Sequence, residues 1–323
     1  MSNYDVAIIG GGTAGLSAAL VLTRARRSVL VVDAGAPRNA PANHMHGYLS
    51  RDGFSPGALL STGRGEVQGY GGVIVTATVV DATPGAEGGF AVRLDDGRQI
   101  SARHLLVTTG LTDELPDIPG LRERWARDVL HCPYCHGYEV RDHQLGVIGG
   151  NPGDVRYAQI VRQWTDDLVY FTAPDTLTAT ERAELVARAI GVVEGDIEQL
   201  VIDDDRLRGV QMDDGCVVPR DAFFVPPRFV PNSALLVSLG CDVYGDGWAM
   251  ADKVGRTSVP GVWAAGNVVD PRAQVITAAG AGSATAIALN ADLVDDDVRN
   301  AVLNFNVGFL PRPTSNTHLK ETP

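Results

Sequence analysis

The chain has 323 residues, which is enough for about two domains of ordinary size. Acidic residues outnumber basic ones, 39 to 27, and the net charge of -12 argues against a nucleic-acid partner, because nucleic acid selects a basic face. Four cysteines are too few for a disulfide-stapled secreted scaffold, and no stretch approaches the roughly 20 apolar residues of a membrane-spanning helix. We therefore expect a cytoplasmic globular protein with no membrane partner.

The first elements along the chain form a strand–helix–strand unit. Residues 4–9 (YDVAII) predict a short buried strand, the glycine run GGGTAG follows at 10–15, and an apolar-periodic helix comes next. A second buried strand at 28–32 ends at Asp33. This order is typical of the βαβ unit of a dinucleotide-binding domain.

The glycine run carries the fingerprint Gly10-x-Gly12-x-x-Gly15. Gly10 permits a tight turn, Gly12 lets a pyrophosphate approach the backbone, and Gly15 lets the helix pack closely on the strand. The helix N-terminus would donate N–H groups to the phosphates, and Asp33 would accept hydrogen bonds from the adenosine ribose. The predicted cofactor-binding residues of this unit are Gly10, Gly12, Thr13, Ala14, Gly15, Asp33 and Ala34.

The rest of the chain predicts a second domain inserted into the first. Short alternating segments at 72–106 predict a small antiparallel sheet, and prolines at 112–120 mark a crossing between domains. A second βαβ pattern occupies 145–172, the chain returns near 226–231, and the last third contains a Gly/Ala-rich helix. We expect an α/β protein with two Rossmann-like dinucleotide-binding domains of the three-layer ββα sandwich type. The predicted boundaries are 1–113 and 244–323 for the two parts of the first domain, and 114–243 for the inserted one.

A Cys-x-x-Cys motif lies in the segment HCPYCHG at 131–137. This spacing brings two sulfurs within bridging reach when the first turn of a helix holds them, and a helix N-terminus lowers a thiol pKa towards that of redox dithiols. A zinc site needs about four ligands, and no second Cys-x-x-Cys follows. We therefore predict that Cys132 and Cys135 are a catalytic redox pair, that there is no metal site, and that Cys216 and Cys241 are core residues.

Two further segments indicate FAD. The segment TSVPGVWAAGN at 257–267 resembles the C-terminal FAD motif of flavoproteins with two dinucleotide domains, and Thr109-Gly110 resembles a turn of the same family. In that family an acidic residue after the final glycine binds the ribityl chain. Here Asn267 follows Gly266, which keeps a hydrogen-bonding group and loses the charge.

These features together resemble the low-molecular-weight thioredoxin reductases over residues 4–310. The segments CPYCHGYEV, NHMHGYLSRDG and LTDELPDIPGL are closer to a subgroup, the thioredoxin-reductase-like dithiol oxidases that form the disulfides of holomycin, gliotoxin and similar natural products. The resemblance implies FAD as cofactor, a homodimer, and a small-molecule dithiol or a thioredoxin-like protein as partner. It also places His46, Gln274 and Val275 at the cofactor, while Arg38 is positioned either to reach the adenosine or pyrophosphate or to lie in a solvated loop.

The second nucleotide fingerprint departs from a working NADPH site. The segment IGGNPGD at 148–154 has Asn151 at the second glycine position and Asp154 at the position of the small closing residue. A carboxylate at Asp154 would repel incoming phosphates at the helix N-terminus. NADPH is therefore a doubtful cofactor, and an atypical but working fingerprint is the alternative.

The resemblance also implies a reaction scheme. A substrate thiolate attacks Cys132, the second substrate thiol resolves the mixed disulfide, and Cys135 passes two electrons to FAD, with O2 as the final acceptor. His136 replaces an acidic residue of ordinary thioredoxin reductases and is predicted to be either a general base or a packing residue. The alternatives are a thioredoxin-disulfide reductase that uses NADPH or ferredoxin and, from another class, a non-catalytic flavin-binding interaction protein, which the intact Cys-x-x-Cys disfavours.

Overall fold

The structure, a computed structural model, describes residues 2–85, 88–151 and 153–309. The strands are β1 (Ser2–Ile9), β2 (Val29–Asp33), β3 (Val73–Thr76), β4 (Val79–Pro84), β5 (Phe90–Leu94), β6 (Gln99–Val107), β7 (Leu111–Glu114), β8 (Val129–Leu130), β9 (Leu145–Ile148), β10 (Leu168–Thr172), β11 (Gly191–Glu194), β12 (Ile197–Asp203), β13 (Arg206–Met212), β14 (Val217–Pro219), β15 (Ala222–Phe224), β16 (Arg228–Pro231) and β17 (Val262–Ala264). The helices are α1 (Thr13–Arg24), α2 (Pro56–Gly69), α3 (Leu121–Arg124), α4 (Pro133–His136), α5 (Asp154–Val161), α6 (Ala179–Ala187), α7 (Ala234–Ser238) and α8 (Val275–Phe309).

The first domain is built on a mixed sheet of seven strands in the order β3-β2-β1-β6-β5-β4, with β17 also paired to β6. The strands β1, β2, β3, β6 and β17 run parallel, while β4–β5 and β5–β6 are antiparallel pairs. The small antiparallel sheet predicted at 72–106 is therefore confirmed for β4, β5 and β6, whereas β3 pairs in parallel with β2, and β6 also pairs in parallel with β1. The alternating pattern located the strands, but the partner of each strand depends on contacts distant in sequence.

Two faces of this sheet are covered by different layers. Ala7 and Ile9 of β1 face a core shared with the β5 residue Val92, whereas Val6 and Ile8 face the core formed with α1 and α8. Because successive residues of a strand point to opposite faces, one strand supplies both cores. The first domain is thus a three-layer ββα sandwich, as predicted.

The inserted domain repeats this arrangement on a smaller scale. Its parallel sheet has five strands in the order β11-β10-β9-β15-β8. One face packs on α5 and α6 through residues such as Val155 and Leu185, and the other packs on the antiparallel β12–β13–β14 sheet through Leu200 and Leu207. The predicted second βαβ unit and the Rossmann-like fold class are confirmed.

The two crossings between the domains lie side by side. Strand β7 leaves the first domain, β16 returns to it, and the two pair in antiparallel register from Leu111↔Pro231 to Glu114↔Arg228. After this crossing, Leu236 and Cys241 already belong to the core of the first domain. On this packing we would place the second boundary near residue 231 rather than 243.

Smaller expectations have mixed outcomes. Cys241 is buried as predicted, but Cys216 is exposed, because it lies in the turn between β13 and β14. The predicted C-terminal helix extends to Phe309, and residues 310–323 lie outside the described residues. No helix in the described part of the chain is long and apolar enough to cross a membrane.

Candidate redox site and nucleotide sites

Of the three fingerprint glycines between β1 and α1, one is open and two are closed. Gly10 has a φ of 111°, and a Cβ there would lie 2.4 Å from the Thr108 carbonyl oxygen; a Cβ on Gly15 would lie 2.0 Å from the Gly10 oxygen. A Cβ on Gly12 would meet nothing within 4 Å. Gly12 also precedes α1 as an N-terminal cap without a side-chain hydrogen bond. The first N–H groups of α1 therefore face an open space in which an anion fits.

Asp33, at the end of β2, lies directly against this turn. A Cβ on Gly11 would be 2.6 Å from the Asp33 carboxyl carbon. The Asp33 carboxylate accepts hydrogen bonds from Arg64 at 2.6 Å and from the Gly35 N–H at 3.1 Å. Next to it is a cleft of about 420 Å³, lined by Ala34, Thr76, Ala77, Thr78, Asp95 and Asp96. A nucleoside placed in this cleft would have its ribose near Asp33, as the fingerprint predicts.

The closing segment after β17 packs on the start of α1. Gly266 has a φ of 78°, and a Cβ there would lie 2.9 Å from the Ala14 side chain. Gly282 of α8 approaches the same residue, since its Cβ would lie 2.0 Å from the Ala14 carbonyl oxygen. The sequence motifs at 10–15 and 257–267, distant in the chain, are thus adjacent in the fold.

Asn267 uses its side chain inside the protein. Its Nδ2 donates to the carbonyl oxygens of Asp270 at 2.9 Å and Ala273 at 3.0 Å. A carboxylate at this position would face the same carbonyl oxygens without a proton to donate. This explains why an amide replaces the acidic residue of the family pattern, while the predicted ribityl contact of Asn267 stays a prediction.

The redox pair is a disulfide between Cys132 and Cys135, with the Cα atoms 5.2 Å apart, and the first turn of α4 holds it. Gln274, directly before the start of α8 at Val275, approaches both sulfurs. Its Nε2 lies 3.9 Å from Cys132 Sγ and 3.7 Å from Cys135 Sγ. The disulfide of the inserted domain therefore docks on the first domain at the N-terminal end of α8. Within the described ranges, no group of three or more His, Cys, Asp or Glu side chains is arranged to hold a metal ion.

A second contact joins the domains beside the disulfide. The ring of His46 lies between two carboxylates, with Nδ1 3.4 Å from Asp52 and Nε2 3.4 Å from Glu139. Glu139 follows the Cys-x-x-Cys segment, so this contact crosses the same domain boundary. Burial lowers the pKa of His136, the nearby charge of Glu139 opposes this, and His46 adds to it. His136 is thus a neutral base at pH 7 next to the disulfide.

Arg38 and His131 lie at the crossing strands. Arg38 forms two hydrogen bonds with Asp113 at 2.8 and 2.7 Å and stacks on the Phe229 ring at 5.2 Å. The His131 ring meets Phe229 edge-on, and the Tyr157 hydroxyl donates to the His131 carbonyl oxygen. The Arg38 guanidinium is therefore engaged with β7 and β16, and its predicted role at the cofactor stays a prediction.

The Thr109-Gly110 turn is also tied to the returning chain. The Thr109 hydroxyl donates to the Asn232 carbonyl oxygen at 2.7 Å, and the Asn232 N–H donates to the Gly110 carbonyl oxygen at 3.0 Å. Gly110 has a φ of 72°, which a residue with a side chain rarely adopts. The end of β6 is therefore fixed at the point where the chain re-enters the first domain.

The second fingerprint has a carboxylate at its closing position, where the first has Gly15. The Asp154 side chain is buried at the start of α5 and accepts from the Asn151 backbone N–H at 2.8 Å and from its side-chain amide at 3.3 Å. Burial raises the pKa of Asp154, and these N–H groups oppose the rise. Position 149 requires a glycine, because a Cβ there would lie 2.1 Å from the Tyr170 hydroxyl. Gly149 is thus explained without a nucleotide.

The residues of the first domain fit FAD. The open position at Gly12, the uncapped α1 N-terminus and the cleft beyond Asp33 accommodate a pyrophosphate and an adenosine in succession. The predicted set that the structure gathers around α1 comprises Gly10, Gly12, Thr13, Ala14, Gly15, Asp33, Ala34 and Gly266. Gln274 and Val275 lie where α8 meets the disulfide, and their predicted contact with the cofactor stays a prediction.

This fold and this site define a class, the two-domain disulfide oxidoreductases built on paired dinucleotide-binding folds. The chain belongs to the pyridine nucleotide-disulphide oxidoreductase family, whose model matches residues 4–283. In three dimensions it is similar to HlmI, whose crystal structure superposes with a TM-score of 0.92 at 55% sequence identity, covering 95% of this chain and 98% of HlmI.

Curated relatives carry the name thioredoxin reductase. The chain is 39% identical to thioredoxin reductase sirT of Leptosphaeria maculans over 143 residues, 43% of this chain and 44% of sirT. It is 37% identical to thioredoxin reductase tcpT of Claviceps purpurea over 171 residues, 50% of this chain and 52% of tcpT. The matched stretch thus spans about half the length of these relatives.

Three residues of the site carry no recognisable sequence signal. Arg64 of α2 pairs with Asp33, Glu139 pairs with His46, and Asn232 fixes the turn after β6. Each partner lies far away in the chain and in no shared motif. Only the fold brings these residues to the site.

Proposed function

We propose that the protein is an FAD-dependent dithiol oxidase, which joins two thiols of a small molecule into a disulfide and passes the electrons to O2. One observation carries this proposal. The redox disulfide docks on the FAD-type domain, while the phosphate position of the inserted domain is filled by its own Asp154. The site is thus suited to receive electrons from thiols and unsuited to receive them from a pyridine nucleotide.

The exchange chemistry belongs to the cysteine pair. A substrate thiolate attacks Cys132 Sγ, the S–S bond breaks, and the electron pair remains on Cys135 Sγ. The second substrate thiolate then attacks the substrate sulfur of the mixed disulfide and releases Cys132. Bound FAD supplies a two-electron acceptor that O2 can reoxidise. In balance, one dithiol and one O2 give one disulfide and one H2O2.

His136 serves this exchange as the general base. It adjoins Cys135 in the chain, and burial lowers its pKa, so the imidazole is neutral at pH 7 and able to take a thiol proton. Glu139 and His46 lie close enough to His136 to affect its pKa, and they contact each other at 3.4 Å.

The alternative of an NADPH-dependent thioredoxin reductase requires a phosphate at the α5 N-terminus. A pyrophosphate there would meet the buried Asp154 carboxylate. The Asn151 N–H would have to give up its hydrogen bond to Asp154 before it could donate to the ligand. A reductase that receives its electrons from ferredoxin needs no phosphate at this position. An experiment must therefore distinguish this alternative from the oxidase.

The test is an anaerobic reduction of the purified FAD-loaded protein. Dithiothreitol should bleach the flavin absorbance, whereas NADPH, NADH and reduced ferredoxin should not. In air, the same dithiol should be consumed with one H2O2 formed per disulfide. Rapid bleaching by NADPH or by ferredoxin would overturn the oxidase in favour of the corresponding reductase.

A Cys132→Ser variant separates catalysis from flavin binding. The variant should retain its FAD, because Cys132 is remote from the turn at Gly10–Gly15 in the sequence and lies in the other domain, and it should lose dithiol oxidation. The exposed Cys216→Ser variant is the matched control and should keep full activity. Retained dithiol oxidation in Cys132→Ser would contradict the scheme, because the exchange would then not need Cys132.

Homodimerisation and a cytoplasmic location complete the proposal. An exposed apolar row on α8, formed by Ile287, Val294, Val298 and Val302, supports a second copy of the chain as the partner. The cysteine usage, with one redox pair and two free thiols, supports a reducing compartment.

A further inference from the structure

The Gln274 amide contacts the redox disulfide from the opposite domain. Its nitrogen lies 3.9 Å from Cys132 Sγ and 3.7 Å from Cys135 Sγ. A disulfide sulfur has no proton and can only accept, so the N–H face of the amide must point at it. The amide oxygen points the other way, 3.8 Å from where a Cβ on Gly47 would lie. The orientation of the amide is therefore fixed by the disulfide sulfurs, which can only accept.

The backbone that carries Gln274 is fixed as well. The Asn267 amide donates to the carbonyl oxygens of Asp270 and Ala273, and Ala273 directly precedes Gln274. The Gln274 carbonyl oxygen accepts the first hydrogen bond of α8, from the Ala278 N–H at 2.8 Å. Both sides of Gln274 are thus held by contacts within the first domain, and a preorganised donor costs little to use.

We propose that Gln274 is a catalytic residue of the thiol–disulfide exchange, which stabilises the thiolate formed when the disulfide opens, and that Asn267 is its positioning residue. When a thiolate attacks Cys132, the S–S bond breaks and the electron pair moves to Cys135 Sγ, the sulfur nearer to the amide nitrogen. The N–H group then faces a full negative charge, and a hydrogen bond to a charged acceptor is stronger than one to a neutral acceptor. The interaction is therefore stronger after the bond has broken than before.

The same geometry explains Asn267. An aspartate would turn a donor into an acceptor against two carbonyl oxygens and would push the 270–273 turn away. The proposal rests on the proposed function only for the identity of the attacking dithiol. The stabilised thiolate belongs to the enzyme and can be measured without substrate or oxygen.

The experiment measures the pKa of the Cys135 thiol in a Cys132→Ser background, from the pH dependence of its alkylation by iodoacetamide. Adding Gln274→Leu should raise that pKa by roughly one unit, which corresponds to one lost charge-assisted hydrogen bond. Gln274→Glu, which places an acceptor near the thiolate, should raise it further. The exposed Gln163→Leu is the matched control and should leave it unchanged.

A second measurement uses the protein with both cysteines. The rate at which dithiothreitol opens the disulfide should fall about three- to tenfold in Gln274→Leu, because a less acidic leaving thiol departs more slowly. Asn267→Asp should change the pKa and the rate in the same direction, and it serves as the second variant if Gln274→Leu does not fold. The FAD content of both variants is measured alongside, so that an effect on cofactor binding is separated from an effect on the exchange.

An unchanged Cys135 pKa and exchange rate in Gln274→Leu would overturn this proposal, and a loss of FAD alone would assign Gln274 to cofactor binding. Reduction of the flavin by NADPH would instead overturn the proposed oxidase and leave the role of Gln274 standing. The two failures are therefore distinguishable.

Discussion

His131 is a histidine whose environment opposes its charged form. The ring packs edge-on against Phe229 with centroids 5.0 Å apart, and Nδ1 is buried without a hydrogen-bond partner among the described residues. Burial, followed by the nearby charge of Arg38, lowers the pKa of His131 to about 4, although Asp113 opposes this. The folded state therefore binds a proton at His131 less readily than the unfolded chain does.

This difference predicts acid sensitivity in a defined range. Above pH 6.5 the residue is neutral in both states, and as the pH falls from 6.5 towards 4 the unfolded chain takes the proton first. Stability is therefore lost over this range, by up to about 3 kcal/mol. His131→Asn should remove this part of the loss, so that urea unfolding at pH 7 and pH 4.5 differs less in the variant than in the unchanged protein.

The control for that measurement is His143→Asn, since the His143 side chain is exposed. The stability of this variant should depend on pH as that of the unchanged protein does. Equal pH dependence in His131→Asn would contradict the assignment. Carboxylates contribute the same background in all three proteins, so only the difference between them is interpreted.

At the residue scale, the sequence predicted the identity of reacting atoms better than the contacts around them. Cys132 and Cys135 form the expected disulfide because their spacing alone brings the sulfurs together. Gln274 is 142 positions from Cys132 and 139 from Cys135 in the sequence, and no local pattern predicts a contact over such a separation. Asn267 was recognised as a departure from its family, but the carbonyl oxygens that require an amide were visible only in the fold.

At the scale of elements, the close approach of α1 and α8 couples the two FAD motifs. The Cβ of an alanine at 282 would lie 2.0 Å from the Ala14 carbonyl oxygen, which is backbone and cannot rotate away. Gly280, one half-turn earlier on α8, is exposed, and a Cβ there would meet nothing within 4 Å. The two glycines therefore form a matched pair in one helix.

Gly282→Ala should separate α8 from α1, with a loss of about 1–3 kcal/mol in the free energy of unfolding. The FAD content after purification should also fall, because Ala14 lies in the first turn of α1, where the phosphates are expected. Gly280→Ala should be neutral or stabilising by up to about 1 kcal/mol, since alanine favours a helix over glycine. Thermal unfolding and the ratio of flavin to protein test both variants, and equal behaviour would contradict the role assigned to Gly282.

Local elements were predicted well where their signals are local. The β1–α1–β2 and β9–α5–β10 units have buried strands, a glycine turn and an apolar-periodic helix within some 30 residues, and both form as expected. The alternation at 72–106 predicts the antiparallel pairs of β4, β5 and β6, but not the parallel pairing of β3 with β2 or of β6 with β1, because alternation reports one buried face and not the neighbouring strand. Likewise, the chain re-enters the first domain at β16 through pairing with β7, more than 110 residues earlier.

At the scale of the whole molecule, contacts among the described residues hold the inserted domain on the first. They include the Gln274 contact with the disulfide, the His46–Glu139 pair and the pairing of β7 with β16. In a reductase that draws electrons from a nucleotide, the inserted domain would have to bind that nucleotide in addition to holding the disulfide on the first domain. The Asp154 carboxylate already accepts hydrogen bonds from Asn151 at the start of α5, which supports the proposed dithiol reaction over reduction by a nucleotide.

The proposed homodimer gives the last prediction. On one side α8 is tied to its own domain, where Asp297 pairs with Arg27 and Arg103. Val294, Val298 and Val302 recur at intervals of four on another side, and each is about half exposed, at 45%, 56% and 52%. Residues four apart share one helix face, so these valines form a continuous apolar row suited to the same row of a second copy.

Val298→Asp should place two buried like charges across that two-fold contact and convert the dimer to a monomer. Light scattering on a sizing column, at micromolar protein concentration, reports the mass directly. Asn300→Asp adds the same charge on a different face of α8 and should leave the dimer intact. A monomeric unchanged protein, or a dimeric Val298→Asp, would contradict the α8 interface. Retained flavin content in Val298→Asp would confirm that the charge acts on assembly rather than on folding.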